Sequence, residues 1–393
     1  MGQGKLLLTG ATGFVGGELL VRLLAEESRR IVCLVRAPSA AAARERGREA
    51  LRALTGAPEL SALVEWVPCD LERPGLGLTR KRWDRLASEV EEVFHCAAST
   101  RFDLPLPEAQ RANVQAVIEL QRLCAEAVAR GGFRRLNHVS TAYAAGLREG
   151  EALDADALPE DRPELFRNTY ERTKARAERL LRARWKEVPT TIYRPSIVVG
   201  ESDTGRTSNW NVVYYPMRLM AHGRLPFVPR SGQGLLDCVP VDYVAAGILA
   251  LARRGDTAGR AFNLVAGEQA VSVDRVVSET WDGLRRVRGA TPSFRRTRVL
   301  GPLAWGLCRR ALPRLVPASA RFLEAFAVYE PYTAISSRFQ DQRERILLGA
   351  AGVVLPSASE FFPRVVDYAL RADFGRAHAR PADAPAPTAA RTA

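Results

Sequence analysis

The chain has 393 residues, 47% hydrophobic and 26% charged, enough for a large core in two lobes. No run approaches the ~20 apolar residues of a membrane span. Six scattered cysteines and four dispersed histidines lack metal-ligand spacing, so buried reduced thiols and a metal-free, cytoplasmic protein are expected. The net charge of +13 is spread along the chain without a nucleic-acid recognition motif. It suits a polyanionic small molecule or an acidic carrier protein, over a background of solvated surface.

Leu6-Leu7-Leu8 reads as a buried parallel strand, too short and too soon broken by Thr9-Gly10 to be a secretory signal. Glycines at 10, 13 and 16 follow, and helical periodicity resumes from Glu18. A strand, a glycine turn and a helix in that order form a dinucleotide cradle. The turn tolerates positive φ, the backbone can approach a pyrophosphate, and the helix start offers free N–H groups. Gly10, Thr12, Gly13, Phe14, Val15 and Gly16 are the candidate contacts.

A second strand ends at Arg36, where the adenosine ribose of a dinucleotide would lie. A basic residue there pairs with a 2′-phosphate, and no acidic residue competes at this strand end, so NADPH is the expected cofactor. Residues 39–54 read as a helix, and 64–70 as a third strand whose end, Asp70-Leu71, faces the adenine edge. A fourth strand runs from Val90 to Ala98, with small Cys96, Ala97 and Ala98 where a cofactor approaches closely. The helix near 108–130 carries Asn113, and the fifth strand, 135–140, is followed by Thr141. Alternating strands and helices imply an α/β fold with a doubly wound parallel sheet. From about residue 200 the texture changes to aromatic, Pro- and Gly-rich loops, then a helix from Val239 to Leu251 and a strand at 261–265. The stretch 294–330 mixes Arg with apolar residues and reads as packed helices, an acyl-chain lid, or a peripheral membrane contact.

Tyr170 and Lys174 stand four residues apart and so project from one helical face. A phenol near pKa 10 is a poor acid or base at neutral pH, and a nearby ammonium is expected to bring it toward the working range. Thr141 would add a hydroxyl at the carboxyl edge of the sheet, where open α/β folds bind ligands.

Together these residues resemble the extended short-chain dehydrogenase/reductase superfamily, and within it the fatty acyl-CoA reductase (male-sterility type) and thioester-reductase group. The resemblance runs from Lys5 to about Gly267. Beyond the cradle it rests on Leu34-Val35-Arg36, Cys69-Asp70-Leu71, residues 95–102, residues 138–143, Asn168-Thr169-Tyr170 with Lys174, residues 193–198 and residues 239–242. It implies a Rossmann-type domain over 1–200, a smaller, mostly helical substrate lobe over 201–375 with 236–267 returning to the core, and a disordered tail over 376–393. It also implies Thr141, Tyr170 and Lys174 as the catalytic group, Asn113 ordering a water beside Lys174, and Pro195, Ser196 and Ile197 on the nicotinamide side. The expected reaction is NADPH-dependent reduction of an acyl thioester, carried on coenzyme A or an acyl carrier protein, to aldehyde or alcohol. The alternatives are an extended reductase, epimerase or dehydratase acting on a sugar nucleotide, sterol or ketone, and a non-catalytic dinucleotide sensor. Trp210, Tyr214, Tyr215, Phe227, Trp305, Phe322 and Phe326 favour an apolar substrate over a sugar. No Gly-x-Ser-x-Gly elbow occurs, which disfavours a hydrolase.

Overall fold

The leucines of the first strand alternate between two apolar layers, and that alternation fixes the architecture. A computed structural model describes residues 4–148, 152–289, 294–315, 323, 326–335 and 337–376. Phe322 and residues 377–393 of the expected tail lie outside the described residues. The main sheet consists of β1 (Lys5–Thr9), β2 (Ile31–Arg36), β3 (Val64–Cys69), β4 (Val90–His95), β5 (Arg135–Val139), β6 (Thr190–Pro195) and β7 (Arg260–Leu264). Its order is β7-β6-β5-β4-β1-β2-β3, with every pairing parallel.

Six helices fill the connections between the first six strands: α1 (Phe14–Glu26), α2 (Ala40–Thr55), α3 (Arg80–Glu89), α4 (Leu106–Gln110) running on to α5 (Ala116–Arg130), and α6 (Thr169–Ala183). Leu6 and Leu8 pack in the layer under α1, while Leu7 joins the opposite layer with Leu86, Leu120 and Leu181 of α3, α5 and α6. Caps set the helix starts. Ser39 accepts from Ala42 N–H ahead of α2, and Asn168 accepts from Glu171 N–H at the start of α6.

The fourth strand stops at His95, earlier than the expected Ala98, because residues 96–98 leave the sheet and turn along its carboxyl edge. The expected 108–130 helix is interrupted by a π-helical turn at Arg111–Gln115, the turn that carries Asn113.

The later elements are α7 (Tyr214–Ala221), α8 (Val241–Ala252), α9 (Val273–Arg288), α10 (Pro302–Leu315), α11 (Gln342–Gly349) and α12 (Ala358–Arg371). α8 lies in the layer shared with α1, and Leu348 of α11 joins it there. α7, α9 and α12 build a separate apolar core around Met217, Val276, Phe361 and Phe362. In α10, Trp305 is buried while Leu303 and Leu307 face outward. Among the described residues no helix is long and apolar enough to cross a membrane.

One fully buried ion pair ties the sheet to α6. Arg194 on β6 donates from Nε (2.9 Å) and Nη2 (2.7 Å) to the Glu178 carboxylate, which also accepts from Ser140 Oγ at 2.5 Å. Removing one partner strands the other charge in the interior. Arg194→Leu is therefore expected to cost about 3–5 kcal/mol of stability. Urea denaturation followed by circular dichroism checks this, and a loss under about 1 kcal/mol would contradict it.

Candidate active site

The register aligns Thr9 with His95, His95 with His138, and Val139 with Tyr193, so the strand ends converge on one edge of the sheet. There the glycine turn meets the 96–98 loop. Gly10 has φ +76°, and a Cβ on it would lie 2.7 Å from Ala97 N. A Cβ on Gly16 would lie 2.2 Å from the Gly10 carbonyl oxygen. Close backbone packing thus demands glycine at both positions. α1 begins after Gly13 with no side-chain cap, which leaves first-turn N–H groups free for an anion.

A cavity of about 870 Å³ follows this edge. It is lined by Gly10, Thr12, Gly13, Phe14, Val15 and Gly16, continues past Arg36 and Leu71 to Cys96, Ala97 and Ala98, and reaches Thr141, Tyr170, Lys174, Pro195, Ser196 and Ile197. The volume and the polar-to-apolar run of its walls fit a dinucleotide together with a further ligand.

Three expectations need correction. Asp70 does not line the cavity; its carboxylate accepts from Glu72 N–H and pairs with Arg73, closing its own turn. Asn113 also stays out of it. Its amide oxygen accepts from Ser99 N–H (2.8 Å), and its nitrogen donates to Ser99 C=O (3.1 Å) and the Thr173 hydroxyl (3.1 Å). It braces the 96–102 loop against α6. Third, a carboxylate does compete at the end of β2: Glu72 pairs with Arg36 at 2.6 Å. A second arginine, Arg46 of α2, lines the same end and donates to the Arg36 carbonyl.

Thr141, Tyr170 and Lys174 do come together. Thr141 follows β5 and, with Tyr170, lines the cavity. Lys174 is buried and donates to the Val139 carbonyl at 2.8 Å. Burial pulls its pKa down to about 8, against the raising influence of Glu178. Burial pushes Tyr170 up to about 12, and the opposing influence is Thr141. The expected lowering by Lys174 is not found, because that ammonium is turned to Val139. Beneath Lys174, His95 and His138 lie 5.2 Å apart, both held neutral by burial first and by the ammonium second.

Sequence reading missed the aromatic wall. Phe102 lies 5.7 Å from Tyr170 and stacks on Tyr332 at 5.1 Å. Tyr143, in the strip after Thr141, lines the cavity with its buried hydroxyl unpartnered. Its position two residues from Thr141 was a usable signal; nothing local marks Tyr332.

A doubly wound parallel sheet with a glycine cradle and this cluster at its carboxyl edge defines an oxidoreductase of the extended short-chain dehydrogenase/reductase class, built to bind a nicotinamide dinucleotide. Within that class the chain belongs to the male sterility protein family, whose NAD-binding model matches residues 8–248. It is 32% identical over 265 residues to a linear gramicidin synthase of Brevibacillus parabrevis, a match covering 66% of this chain and 5% of that protein. It is 31% identical over 291 residues to fatty acyl-CoA reductase 1 of Xenopus laevis, covering 64% of this chain and 55% of that one. The chain thus spans only part of the length of these relatives. The terminal R domain from the myxalamid PKS-NRPS biosynthetic pathway superposes with a TM-score of 0.79 at 27% identity, covering 96% of this chain and 93% of that one.

Proposed function

We propose that this protein reduces an acyl thioester with NADPH, and that Thr141, Tyr170 and Lys174 act on the thioester carbonyl. The observation that carries the reading is the placement of this cluster between a basic cofactor end and an aromatic wall. Arg36 and Arg46 stand at one end of the cavity, while Phe102, Tyr143 and Tyr332 stand beside Tyr170. That wall suits an apolar acyl group better than a sugar. Similarity to a fatty acyl-CoA reductase and to a biosynthetic R domain supports the thioester class.

A bound reduced nicotinamide supplies the hydride. Thr141 and Tyr170 donate hydrogen bonds to the carbonyl oxygen as it gains negative charge, and Tyr170 releases its proton to it. Lys174 stays an ammonium, fixed by Val139, and would hold the nicotinamide ribose of a bound cofactor. Cleavage of the C–S bond then gives the aldehyde and the thiol of coenzyme A or a carrier protein. A second hydride would give the alcohol.

NADPH oxidation with a panel of acyl-CoA thioesters, products read by mass spectrometry, tests the reaction. Aldehyde or alcohol with release of thiol is expected; a folded, NADPH-binding protein that consumes no thioester would overturn it. Tyr170→Phe is expected to lower kcat about 10²–10⁴-fold while the NADPH dissociation constant stays within about twofold. Undiminished turnover would remove Tyr170 from the role.

Lys174 sets the alkaline limit. Its folded pKa is about 8, so the required ammonium is present below that pH and lost as pH rises through it. A pH profile of kcat/KM should fall above about 8, and one flat to pH 10 would contradict the role.

Glu72 weakens the preference for a 2′-phosphate by occupying Arg36. In Glu72→Gln the guanidinium is released, and isothermal calorimetry should show NADPH tightening relative to NADH by about three- to tenfold. An unchanged ratio would place the 2′-phosphate elsewhere.

A further inference from the structure

Next to the main cavity lies a second, smaller one of about 50 Å³, walled by α7, α9, Val228, Phe326 and Tyr332. Its lining is mostly aliphatic and aromatic, and two of its polar wall groups are engaged elsewhere. The Thr333 hydroxyl donates to the Glu330 carbonyl at 2.7 Å, and the Tyr332 hydroxyl donates to Glu171 at 2.7 Å. Two residues, Val212 and Tyr332, line both cavities and form the partition between them. Val212 has φ +50°, a conformation that a β-branched residue adopts only under strain. Such strain collects where a ligand must pass or be held.

Tyr332 is tied to the machinery on its other side. Besides Glu171, its hydroxyl accepts from Asn168 Nδ2 at 2.8 Å, and both partners sit at the start of α6. Its ring stacks on Phe102, which in turn contacts Tyr170. The partition is therefore bonded to the helix that presents Tyr170 and Lys174. Phe102 and Tyr332 thus form a continuous aromatic run from Tyr170 to the partition.

The geometry points to this second cavity as the pocket for the apolar end of the acyl group, entered between Val212 and Tyr332. This assignment rests on the thioester reading above. At about 50 Å³ the pocket holds about four methylene-sized groups, so it measures a short apolar segment and does not swallow a long chain whole. Each methylene placed in it is worth about fourfold in kcat/KM, the ~0.8 kcal/mol of a buried CH₂.

The test uses the full chain and straight-chain acyl-CoA thioesters from acetyl to dodecanoyl, with two variants away from the reacting groups. Val277→Phe fills the pocket from α9, and Met220→Ala enlarges it from α7. In the parent, kcat/KM should climb about fourfold per methylene over a limited stretch of chain length and then level off. Val277→Phe should flatten that climb while leaving the shortest productive thioester within about twofold, and Met220→Ala should carry the climb one or two carbons further. If both variants, folded by circular dichroism and binding NADPH, keep the parent's profile, the pocket assignment is wrong. If the parent consumes no acyl-CoA at all, the thioester reading fails on its own. The pocket is then judged by thermal stabilisation with 1-hexanol, 1-octanol and 1-decanol: chain-length-dependent stabilisation abolished by Val277→Phe sustains an apolar-chain pocket, and its absence in the parent overturns it.

Discussion

Two cations and one carboxylate, all buried, hold the site together. Lys174 and Glu178 sit one turn apart on α6, and Arg194 faces them from β6. An ammonium in such a place sheds its proton unless something opposes the desolvation. Glu178 does so through its field, and Val139 does so by accepting from Nζ. Glu178 can play that part because Arg194, Arg182 and Ser140 keep it ionised, below the ordinary carboxylate range, although burial pushes the other way. One carboxylate thereby couples the ends of β5 and β6 to the helix that carries Tyr170. Parting β6 from that helix would leave a charge unmatched.

That coupling also separates what the sequence could reveal from what it could not. The strand, glycine turn and helix at residues 5–26 are local: alternation, glycine and helical spacing each leave a mark in consecutive residues. The same holds for Tyr170 and Lys174, whose spacing puts them on one face whatever surrounds them. Their titration was not legible in this way. It depends on burial and on a carbonyl 35 residues earlier in the chain. Arg36 shows the same limit, since its competitor Glu72 lies 36 residues on, in the loop after a different strand. The resemblance put Asn113 beside the site, and the π-helical turn that carries it directs its amide to Ser99 and Thr173. No residue type at 111–115 announces that turn.

Arginine makes up most of the positive charge, yet much of it is engaged with the protein's own carboxylates. Arg29 bridges Glu27 and Glu92, and Arg286 bridges Glu279 and Asp367. Planar guanidinium forks suit such bridging, whereas an ammonium does not. The arginines that remain significant for a dinucleotide are the pair at the outer end of the cavity, Arg36 and Arg46. The opposite end is ringed by aromatic groups. A molecule that is anionic at one end and apolar at the other is what such a gradient selects, and a reduced dinucleotide laid against an acyl chain has that character.

Tyr170 is neutral at rest, and in the proposed reaction it gives up its proton only as the acceptor becomes basic. Burial raises Tyr170 to about 12, so it is protonated throughout the physiological range. The ammonium of Lys174 is directed at Val139. In the proposed reaction the drive for proton release comes from charge developing on the substrate oxygen between Thr141 and Tyr170, in a low-dielectric setting that magnifies it.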